Sequence, residues 1–493
     1  MPVKQPLWVG VDIGTQHARA LVVNDKGQVF GAGSAALTST RRGPRHEQDP
    51  QQWWTAVAEA ARAALACVHA DEVAALAVAG TSGTVLLVDR AGRPRTEALM
   101  YDDARAVQEA LVVNDVGAPL WHELGYGLMQ PSWALPKLLW LLNRHPDLAN
   151  EKIQLCHQAD LITARFIGHP VPTDTSNALK SGYHLLEDRW PSEVFNRLGV
   201  PPPVLPAVVR PGTLLGRVGV HASTVTGIPA GTAVVAGMTD GCAAQLGAGC
   251  VEIGSWNSVL GTTLVLKGVS DRLIRDPAGA LYCHRGPDNT WLPGGASSSG
   301  AGAIAEWFRG ADLADLTARA AKLPIGPVAY PLIARGERFP FHAAHAETFM
   351  LGHPDTDAGV FAALLLGVAC LERLCFDRVT MLGAPTDGRL TFTGGATRND
   401  YWTQLRADLL GRTVQIPDQP EPALGMAILA STSSGKSLAE AAASMVHGGS
   451  ERVPNPARAA VLRQRYVDFV DALTARGGSV PGSGVSDGGV SVP

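Results

Sequence analysis

The chain has 493 residues, of which 46% are hydrophobic and 17% are charged, a composition typical of a soluble globular protein. At this length it can form two or more domains, each with a sizeable core. Its formal net charge of −4, from 41 basic and 45 acidic residues, argues against a protein built to bind nucleic acid or an anionic membrane.

The cysteines and the apolar segments indicate the compartment. Seven cysteines, an odd number without a Cys-x-x-Cys pair, are typical of free thiols in a reducing environment. The N-terminus lacks the layout of a signal peptide, and an apolar run such as Phe361 to Cys370 is too short to span a bilayer. We therefore expect a cytoplasmic protein, with neither a membrane nor a nucleic acid as its partner.

The first predicted element is a hairpin. Val9 to Ile13 is an apolar strand, Gly14-Thr15 is a tight turn, and a second apolar strand follows. Glycine lets a backbone approach a ligand closely, and a small hydroxyl residue leaves the turn amides accessible to a phosphate. An Asp in a buried strand, here Asp12, requires a cation or a hydrogen-bond donor. Alone, the stretch fits an ordinary hairpin with a turn-stabilising Asp equally well.

Strands and helices then alternate, which is typical of a largely parallel sheet covered by helices. Asp49-Pro50 is a favourable helix start because Asp caps a helix and Pro suits its first turn. The predicted elements are a strand at Gln28–Ala36, an Ala-rich helix at Trp53–His69, strands at Val73–Ala79 and Val85–Asp89, a helix at Pro136–Arg144 and a rigid extended crossing at Pro201–Pro206.

A second carboxylate follows a later apolar strand. Thr232 to Gly237 leads into Met238-Thr239-Asp240-Gly241, and a helix is predicted from Ala243 to Gly249. An Asp in a Gly-rich turn before an Ala run suits a ligand site, but it would also suit a helix N-cap.

The strand–turn–strand pattern is then repeated. Trp256 to Leu260 precedes Gly261-Thr262-Thr263, and Leu264 to Lys267 follows. Two such hairpins, each near the start of one half of the chain, predict two similar domains that face one nucleotide. We place these domains at residues 1–248 and 249–476, and we expect residues 477–493 to be a disordered tail.

The second half continues with further alternating elements. These are helices at about Ala301–Phe308, Ala362–Asp377, Trp402–Leu410 and Pro422–Ser431, a strand at Leu390–Thr393, and an amphipathic helix from Pro456 to about Arg476.

From about residue 7 to about residue 440, the order of these motifs resembles the FGGY family of sugar kinases. The resemblance implies an α/β, two-domain actin/Hsp70/hexokinase-like (ribonuclease H-like) fold with an interdomain cleft, and ATP and Mg²⁺ as cofactors. In phosphoryl transfer the enzyme mainly positions groups and neutralises charge, while one carboxylate accepts the proton of the attacking hydroxyl. Asp240 is then the catalytic base and contacts the sugar. The resemblance further implies that Asp12 holds Mg²⁺ through water and also contacts the sugar, in a metal site that it shares with Asp240.

The resemblance also implies which residues bind ATP. Backbone amides of the two Gly-Thr turns would hold the phosphates, and a Gly-Gly turn before a helix matches the adenosine site of the family. A Gly-Gly turn is common, so this last motif is weak by itself. The residues are Gly14, Thr15, Gly261, Thr262, Thr263, Gly300, Gly394, Gly395, Ala396 and Asn399.

The choice of sugar is expected to depend on the loop that contains Ser82. Many xylulose kinases of the family carry a Met-His pair in this loop, and glycerol kinases have an Arg-Glu pair. Here Thr81-Ser82-Gly83 is shorter and has neither pair. Together with Thr175–Tyr183 and Arg335–Pro340, the loop resembles the D-ribulose kinases of cyanobacteria and plants. We therefore expect Ser82 to bind a sugar hydroxyl, with stabilisation of the turn as the alternative. Relatives often present polar groups near the sugar at the positions of Asp102 and Asp103, but the match there is imperfect and we interpret these two residues as a solvated turn.

These expectations lead to a kinase that converts D-ribulose to D-ribulose 5-phosphate. A kinase of D-xylulose or of another polyol is the alternative within the family. A non-catalytic sugar or nucleotide sensor is disfavoured because Asp240 is present and no basic helix-turn-helix extension is visible. The sequence leaves the oligomeric state open and is compatible with a homodimer.

Overall fold

The computed structural model describes residues 5–150 and 152–478, with the backbone alone for residues 149 and 150. From residue 479 onward the predicted disordered tail lies outside the described residues. Its first two residues, Gly477 and Gly478, close the final helix by donating hydrogen bonds to the carbonyls of Thr474 and Leu473.

The described residues of the first half form thirteen strands and eight α-helices. The strands are β1 (Leu7–Ile13), β2 (His17–Asn24), β3 (Val29–Ala36), β4 (Thr40–Arg42), β5 (Arg45–Gln48), β6 (Val73–Gly80), β7 (Val85–Val88), β8 (Ala98–Leu99), β9 (Gln154–His157), β10 (Thr173–Asp174), β11 (Val208–Val209), β12 (Leu214–Arg217) and β13 (Ala233–Val235). The helices are α1 (Pro50–Leu65), α2 (Val107–Glu123), α3 (Ala134–Arg144), α4 (Gln158–Ile167), α5 (Thr175–Ala178), α6 (Ser192–Arg197), α7 (Val220–Thr226) and α8 (Asp240–Gly247).

Nine strands and seven α-helices follow in the described part of the second half. The strands are β14 (Trp256–Leu260), β15 (Leu264–Gly268), β16 (Tyr282–Arg285), β17 (Trp291–Ala296), β18 (Val328–Tyr330), β19 (Phe349–Leu351), β20 (Leu390–Thr393), β21 (Val414–Pro417) and β22 (Gly448–Arg452). The helices are α9 (Ala301–Trp307), α10 (Leu313–Ala320), α11 (Asp357–Met381), α12 (Asp400–Leu410), α13 (Pro422–Ser431), α14 (Leu438–Met445) and α15 (Ala459–Ala475).

Each half is built on one large sheet, and the two sheets share a strand order. The first sheet runs β12-β13-β6-β1-β2-β3 and the second runs β16-β17-β15-β14-β20-β21-β22. In both, an antiparallel hairpin (β1–β2 or β14–β15) lies beside parallel strands (β6 and β13, or β20 and β21). The prediction of two similar halves, each opened by a hairpin, is therefore confirmed.

A smaller five-stranded sheet, β4-β5-β8-β7-β9, is inserted into the first half. The loop that contains Ser82 connects β6 of the large sheet to β7 of this small sheet. The segment Tyr101–Asp103 follows directly after β8. The junction between the two sheets therefore brings both segments close to the end of β1.

Helix α13 belongs to the second half by sequence, but it packs against the first half. It lies on β1, β6 and α8, and its residues from Ala423 to Ser431 are all buried. The contact is backbone to backbone. A Cβ atom added to Gly425 would lie 1.9 Å from the carbonyl oxygen of Ala243, and one added to Gly10 would lie 1.7 Å from that of Ala423. Glycine is required at both positions because any side chain would occupy the space of a main-chain atom.

Some predicted elements have different boundaries in the structure. The crossing at Pro201–Pro206 is not extended throughout, because Pro202–Val204 forms a 3₁₀ turn. A proline φ near −65° suits both conformations, so the sequence could not separate them. Helix α1 begins at Pro50, since the Asp49 side chain accepts a hydrogen bond from Gln51. The helix predicted from Ala243 begins at Asp240.

Helix α11 is the apolar centre of the second half. It is longer than the run considered in the sequence, and by length and hydropathy alone it could cross a membrane. However, 78% of its most apolar window is buried inside the protein, as expected for a core helix. Cys370 and Cys375 lie in this core on the same helix, as predicted, and all seven cysteines are free.

The contact between α13 and α8 can be tested with Gly425→Ala. The added methyl group overlaps the Ala243 carbonyl, and overpacking of this kind typically costs about 1–3 kcal/mol. We expect the free energy of unfolding, measured by chemical denaturation, to fall by this amount. Gly448→Ala is the matched control, because its Cβ would meet nothing within 4 Å. If both variants had equal stability, the two helices would not pack as described.

Candidate active site

Asp240 lies at the first position of α8, where the first half of the chain faces the second. The N-cap of this helix is Thr239, so the alternative interpretation of Asp240 as the N-cap is wrong. The Asp240 carboxylate accepts a hydrogen bond of 2.7 Å from the Gly241 amide and also interacts with the backbone amide of Ser82. Burial nevertheless raises the pKa of Asp240. The side chain is partly exposed and remains open to a ligand.

Asp12, at the end of β1, lies close to Asp240 and is only 3% exposed. One of its oxygens is 3.4 Å from the Arg19 guanidinium, and the other, Oδ1, is buried without a hydrogen-bond partner among the described residues. Burial and then the nearby Asp240 carboxylate raise the pKa of Asp12 to about 7. A buried acceptor beside a second carboxylate favours the binding of a cation between them.

The residues fit magnesium rather than a metal held by protein alone. Within residues 5–150 and 152–478, no group of three or more His, Cys, Asp or Glu side chains could enclose a metal ion. Mg²⁺ is commonly held by one or two carboxylates together with water and phosphate oxygens. Asp12 and Asp240 provide this number of carboxylates.

Ser82 connects Asp240 to Lys180 through its own backbone. Its amide faces the Asp240 carboxylate, and its carbonyl accepts a hydrogen bond of 3.1 Å from the Lys180 ammonium. The Ser82 hydroxyl is buried, and no described residue pairs with it. A buried hydroxyl without a hydrogen-bond partner costs free energy unless a ligand supplies that partner. The contact between Ser82 and the sugar stays a prediction, and the hydroxyl is accessible to no other described partner.

Lys137 holds the same loop from behind. Its ammonium is fully buried and donates to the carbonyls of Gly83, at 2.6 Å, and of Met100, at 2.8 Å. Burial lowers the pKa of Lys137 to about 7. The neutral form of lysine costs less to bury than the charged form, so Lys137 can remain in the interior and hold the loop through its hydrogen bonds.

A further lysine approaches Asp240 from the second half. Lys267, on β15, lies 3.1 Å from Nδ1 of His284 and close enough to lower the pKa of Asp240. His284 is buried, which together with Lys267 lowers its pKa well below the usual value. A neutral imidazole can therefore accept the hydrogen bond.

Lys137, Lys180 and Lys267 were not predicted from the sequence as residues of this site. A visible signal existed, because each lysine interrupts a segment that is otherwise apolar or small, and lysine is rarely buried without a partner.

In both Gly-Thr turns, fewer backbone amides are free to bind a phosphate than we expected. The amide of Gly14 donates to the carbonyl of His17, and that of Gly261 donates to the carbonyl of Thr263. Both glycine amides therefore close their own turns. In the described part of the chain no acceptor pairs with the amides of Thr15, Thr262 or Thr263, which are the donors that remain for a ligand.

Two of the other predicted nucleotide residues pack against the second turn. A Cβ atom at Gly300 would lie 2.6 Å from the Thr262 carbonyl oxygen, and one at Gly394 would lie 2.6 Å from that of Leu260. The Gly-Gly turn continues as the 3₁₀ segment Gly395–Arg398, which includes Ala396. Asn399 is the N-cap of α12 and also donates to Thr317, so its side chain is already engaged with the protein.

The interpretation of Asp102 and Asp103 as a solvated turn is wrong for Asp103, whereas Asp102 lies in a turn and stays partly exposed. Asp103 is fully buried and forms an ion pair with Arg105. Asp102 pairs with His46 and Arg41, and these partners hold the pKa of Asp102 below its usual range although burial opposes them. Both carboxylates therefore brace the junction between the two sheets of the first half.

Comparison with known proteins identifies the family. Residues 7–247 match the N-terminal domain of the FGGY family of carbohydrate kinases, and residues 256–434 match its C-terminal domain. The chain belongs to this family. Carbohydrate kinases of the FGGY family use ATP to phosphorylate a sugar.

Several relatives of this FGGY kinase carry a more specific name. The chain is 31% identical over 430 residues to a xylulose kinase of Streptomyces rubiginosus, covering 86% of this chain and 87% of the relative. It is 32% identical over 434 residues to one of Streptomyces coelicolor, with the same coverage. The crystal structure of a xylulose kinase from Rhodospirillum rubrum superimposes with a TM-score of 0.87 at 24% identity, covering 96% of this chain and 99% of that one, which shows a shared fold.

The burial of Asp12 should lower the stability of the folded protein whenever this carboxyl group is ionised. Its pKa rises from 3.8 to about 7 on folding, so its ionisation destabilises the folded state as the pH rises through this window. Asp12→Asn should therefore make the ligand-free protein more stable at pH 8, by up to about 4 kcal/mol. The gain should shrink as the pH falls towards 5.

Chemical denaturation at both pH values measures this difference. Asp115→Asn on the exposed face of α2 is the matched control and should change little at either pH. A destabilised Asp12→Asn variant at pH 8 would contradict the assignment of an unpaired buried carboxylate.

Proposed function

We propose that this kinase phosphorylates a free pentulose at its terminal hydroxyl, and that D-ribulose is the preferred substrate, giving D-ribulose 5-phosphate. The observation that carries the proposal is the arrangement around Ser82. A short loop presents an unpaired hydroxyl beside the Asp240 carboxylate, where many xylulose kinases of the family have a bulkier Met-His pair.

In the proposed reaction Asp240 accepts the proton of the attacking hydroxyl. Its carboxylate is oriented by the amides of Gly241 and Ser82. The positive charge of Lys267 stabilises the ionised form of Asp240. Asp12 would hold Mg²⁺, which when bound neutralises charge on the phosphates. The amides of Thr15, Thr262 and Thr263 would bind phosphate oxygens, and closure of the two halves would exclude water that hydrolyses ATP.

The remaining assignments follow from this reaction. Gly300, Gly394, Gly395 and Ala396 would line the nucleotide, with Asn399 shaping the turn rather than contacting the base. A reaction that consumes ATP and a protein with seven free thiols suit the cytoplasm. We retain residues 1–248 and 249–476 as the proposed domains and a homodimer as a proposed assembly.

The role of Asp240 can be tested with Asp240→Asn. The amide keeps the shape of the side chain but cannot accept a proton, so kcat should fall by roughly 10²–10⁴. Coupled detection of ADP measures turnover, and circular dichroism checks that the variant is folded. Turnover close to that of the wild type in a folded variant would remove Asp240 from the role of base.

The choice of sugar rests on one stereocentre. D-ribulose and D-xylulose differ at a single carbon, and the relatives named xylulose kinases make D-xylulose the rival substrate. A hydroxyl left unpaired in a closed site costs about 1–3 kcal/mol, or roughly 5- to 150-fold in kcat/KM. The Ser82 hydroxyl is the group that would make this distinction.

We expect kcat/KM to favour D-ribulose over D-xylulose by at least about tenfold, and Ser82→Ala to reduce this preference. The measurement is kcat/KM for both sugars with both proteins at saturating ATP and Mg²⁺. A wild-type preference for D-xylulose would overturn the substrate assignment and leave the kinase assignment in place.

A further inference from the structure

Lys180 has no role in the reaction described so far, although it borders the same site. It lies in the 3₁₀ segment Leu179–Ser181, after α5, and its ammonium reaches the carbonyl of Ser82 at 3.1 Å. An ammonium group has three N–H donors. The described part of the chain offers Lys180 this one hydrogen-bond acceptor, so two donors remain available, and the Asp240 carboxylate is near enough to raise the pKa of the ammonium.

Lys137 and Lys180 both bond to the Ser82 loop, but they differ in burial and in the number of hydrogen-bond partners. Lys137 is fully buried, and carbonyls of the protein already satisfy its ammonium. The loop around Ser82 is therefore held without Lys180. Lys180 is only partly buried, and it adds one bond to a loop that already has its anchor.

Charges from several elements surround the Lys180 ammonium. Burial lowers the pKa of Lys180 to about 8, and the carboxylate of Asp240 and the thiol of Cys242 on α8 oppose this effect. Two basic groups from other elements face it, namely Arg338 in the loop before β19 and Lys137 on α3. The imidazole of His284 on β16, which is neutral, also lies nearby. A neutral Lys180 is therefore within reach of an ordinary assay pH.

We infer that Lys180 is a substrate-contacting residue whose ammonium donates a hydrogen bond to an oxygen of the sugar held between Asp240 and Ser82. The backbone of Ser82 ties this ammonium to the Asp240 carboxylate, so the three groups face one small space. The sugar would then contact the Asp240 carboxylate as an acceptor, the Ser82 hydroxyl, and the Lys180 ammonium as a cationic donor. This inference rests on the proposed pentulose kinase and adds a specificity-determining contact to it.

The test uses Lys180→Met and Lys180→Arg in the full-length protein, with D-ribulose and D-xylulose as the sugars at saturating ATP and Mg²⁺. Lys180→Met removes the charge and should lower kcat/KM for the preferred sugar at least about tenfold, mainly through KM for the sugar. Lys436→Met is the control, because Lys436 pairs with Asp25 at the other end of the β1–β2 hairpin. It should retain wild-type values.

The pH profile distinguishes a contact from a structural role. Wild-type kcat/KM for the sugar should fall as the pH rises through about 8, because the ammonium loses its proton. In Lys180→Arg the guanidinium stays protonated, so this alkaline limb should move to higher pH even if the rate itself is lower. A merely structural lysine would not move the limb.

Two results would overturn the inference while leaving the proposed function in place. One is a folded Lys180→Met variant with the kcat/KM of the wild type. The other is a Lys180→Arg profile with an unshifted alkaline limb, and this result decides the question alone if Lys180→Met does not fold. A wild-type protein that releases no ADP with either pentulose would instead overturn the proposed function, and the inference with it.

Discussion

The site depends on two carboxylates, Asp12 and Asp240, that folding brings together from distant parts of the sequence. Each would be better solvated in the unfolded chain, and the Asp240 carboxylate raises the cost of ionising Asp12. The fold tolerates this repulsion by placing cations at the edges, with Arg19 beside Asp12 and Lys180 and Lys267 beside Asp240. Two buried carboxylates that repel each other in this way favour a divalent cation between them.

The surrounding architecture supplies the rigidity that such a site needs. β1 and β6 are neighbouring parallel strands of the large sheet, so Asp12 and the start of the Ser82 loop lie at the same sheet edge. α8 brings Asp240 to that edge, and Lys137 fixes the loop from the interior. Functional groups on strand ends and helix termini are held more accurately than groups on long loops.

Local patterns in the sequence predicted much of the fold. The hairpins around Gly14 and Gly261, the helix Pro422–Ser431 and the strand Leu390–Thr393 follow from apolar periodicity and turn residues, which act over a few neighbours. The backbone contact between Ser82 and Asp240 could not be predicted in this way, because it joins residues more than 150 positions apart.

The buried lysines and acids were missed for a related reason. The burial of Asp103 depends on Arg105, and that of Lys137 on carbonyls from two different loops. Composition alone assigns such charged residues to the surface, since their partners become visible only in three dimensions.

The position of α13 has a consequence for synthesis of the chain on the ribosome. The apolar surface of β1 and α8 is covered by Ala423–Ser431, a segment translated long after the first half is complete. The nascent first half therefore exposes a patch that only a distant part of the same chain can cover. An exposed apolar patch of this kind promotes association with other chains, so the first half completes its packing only after α13 has been made.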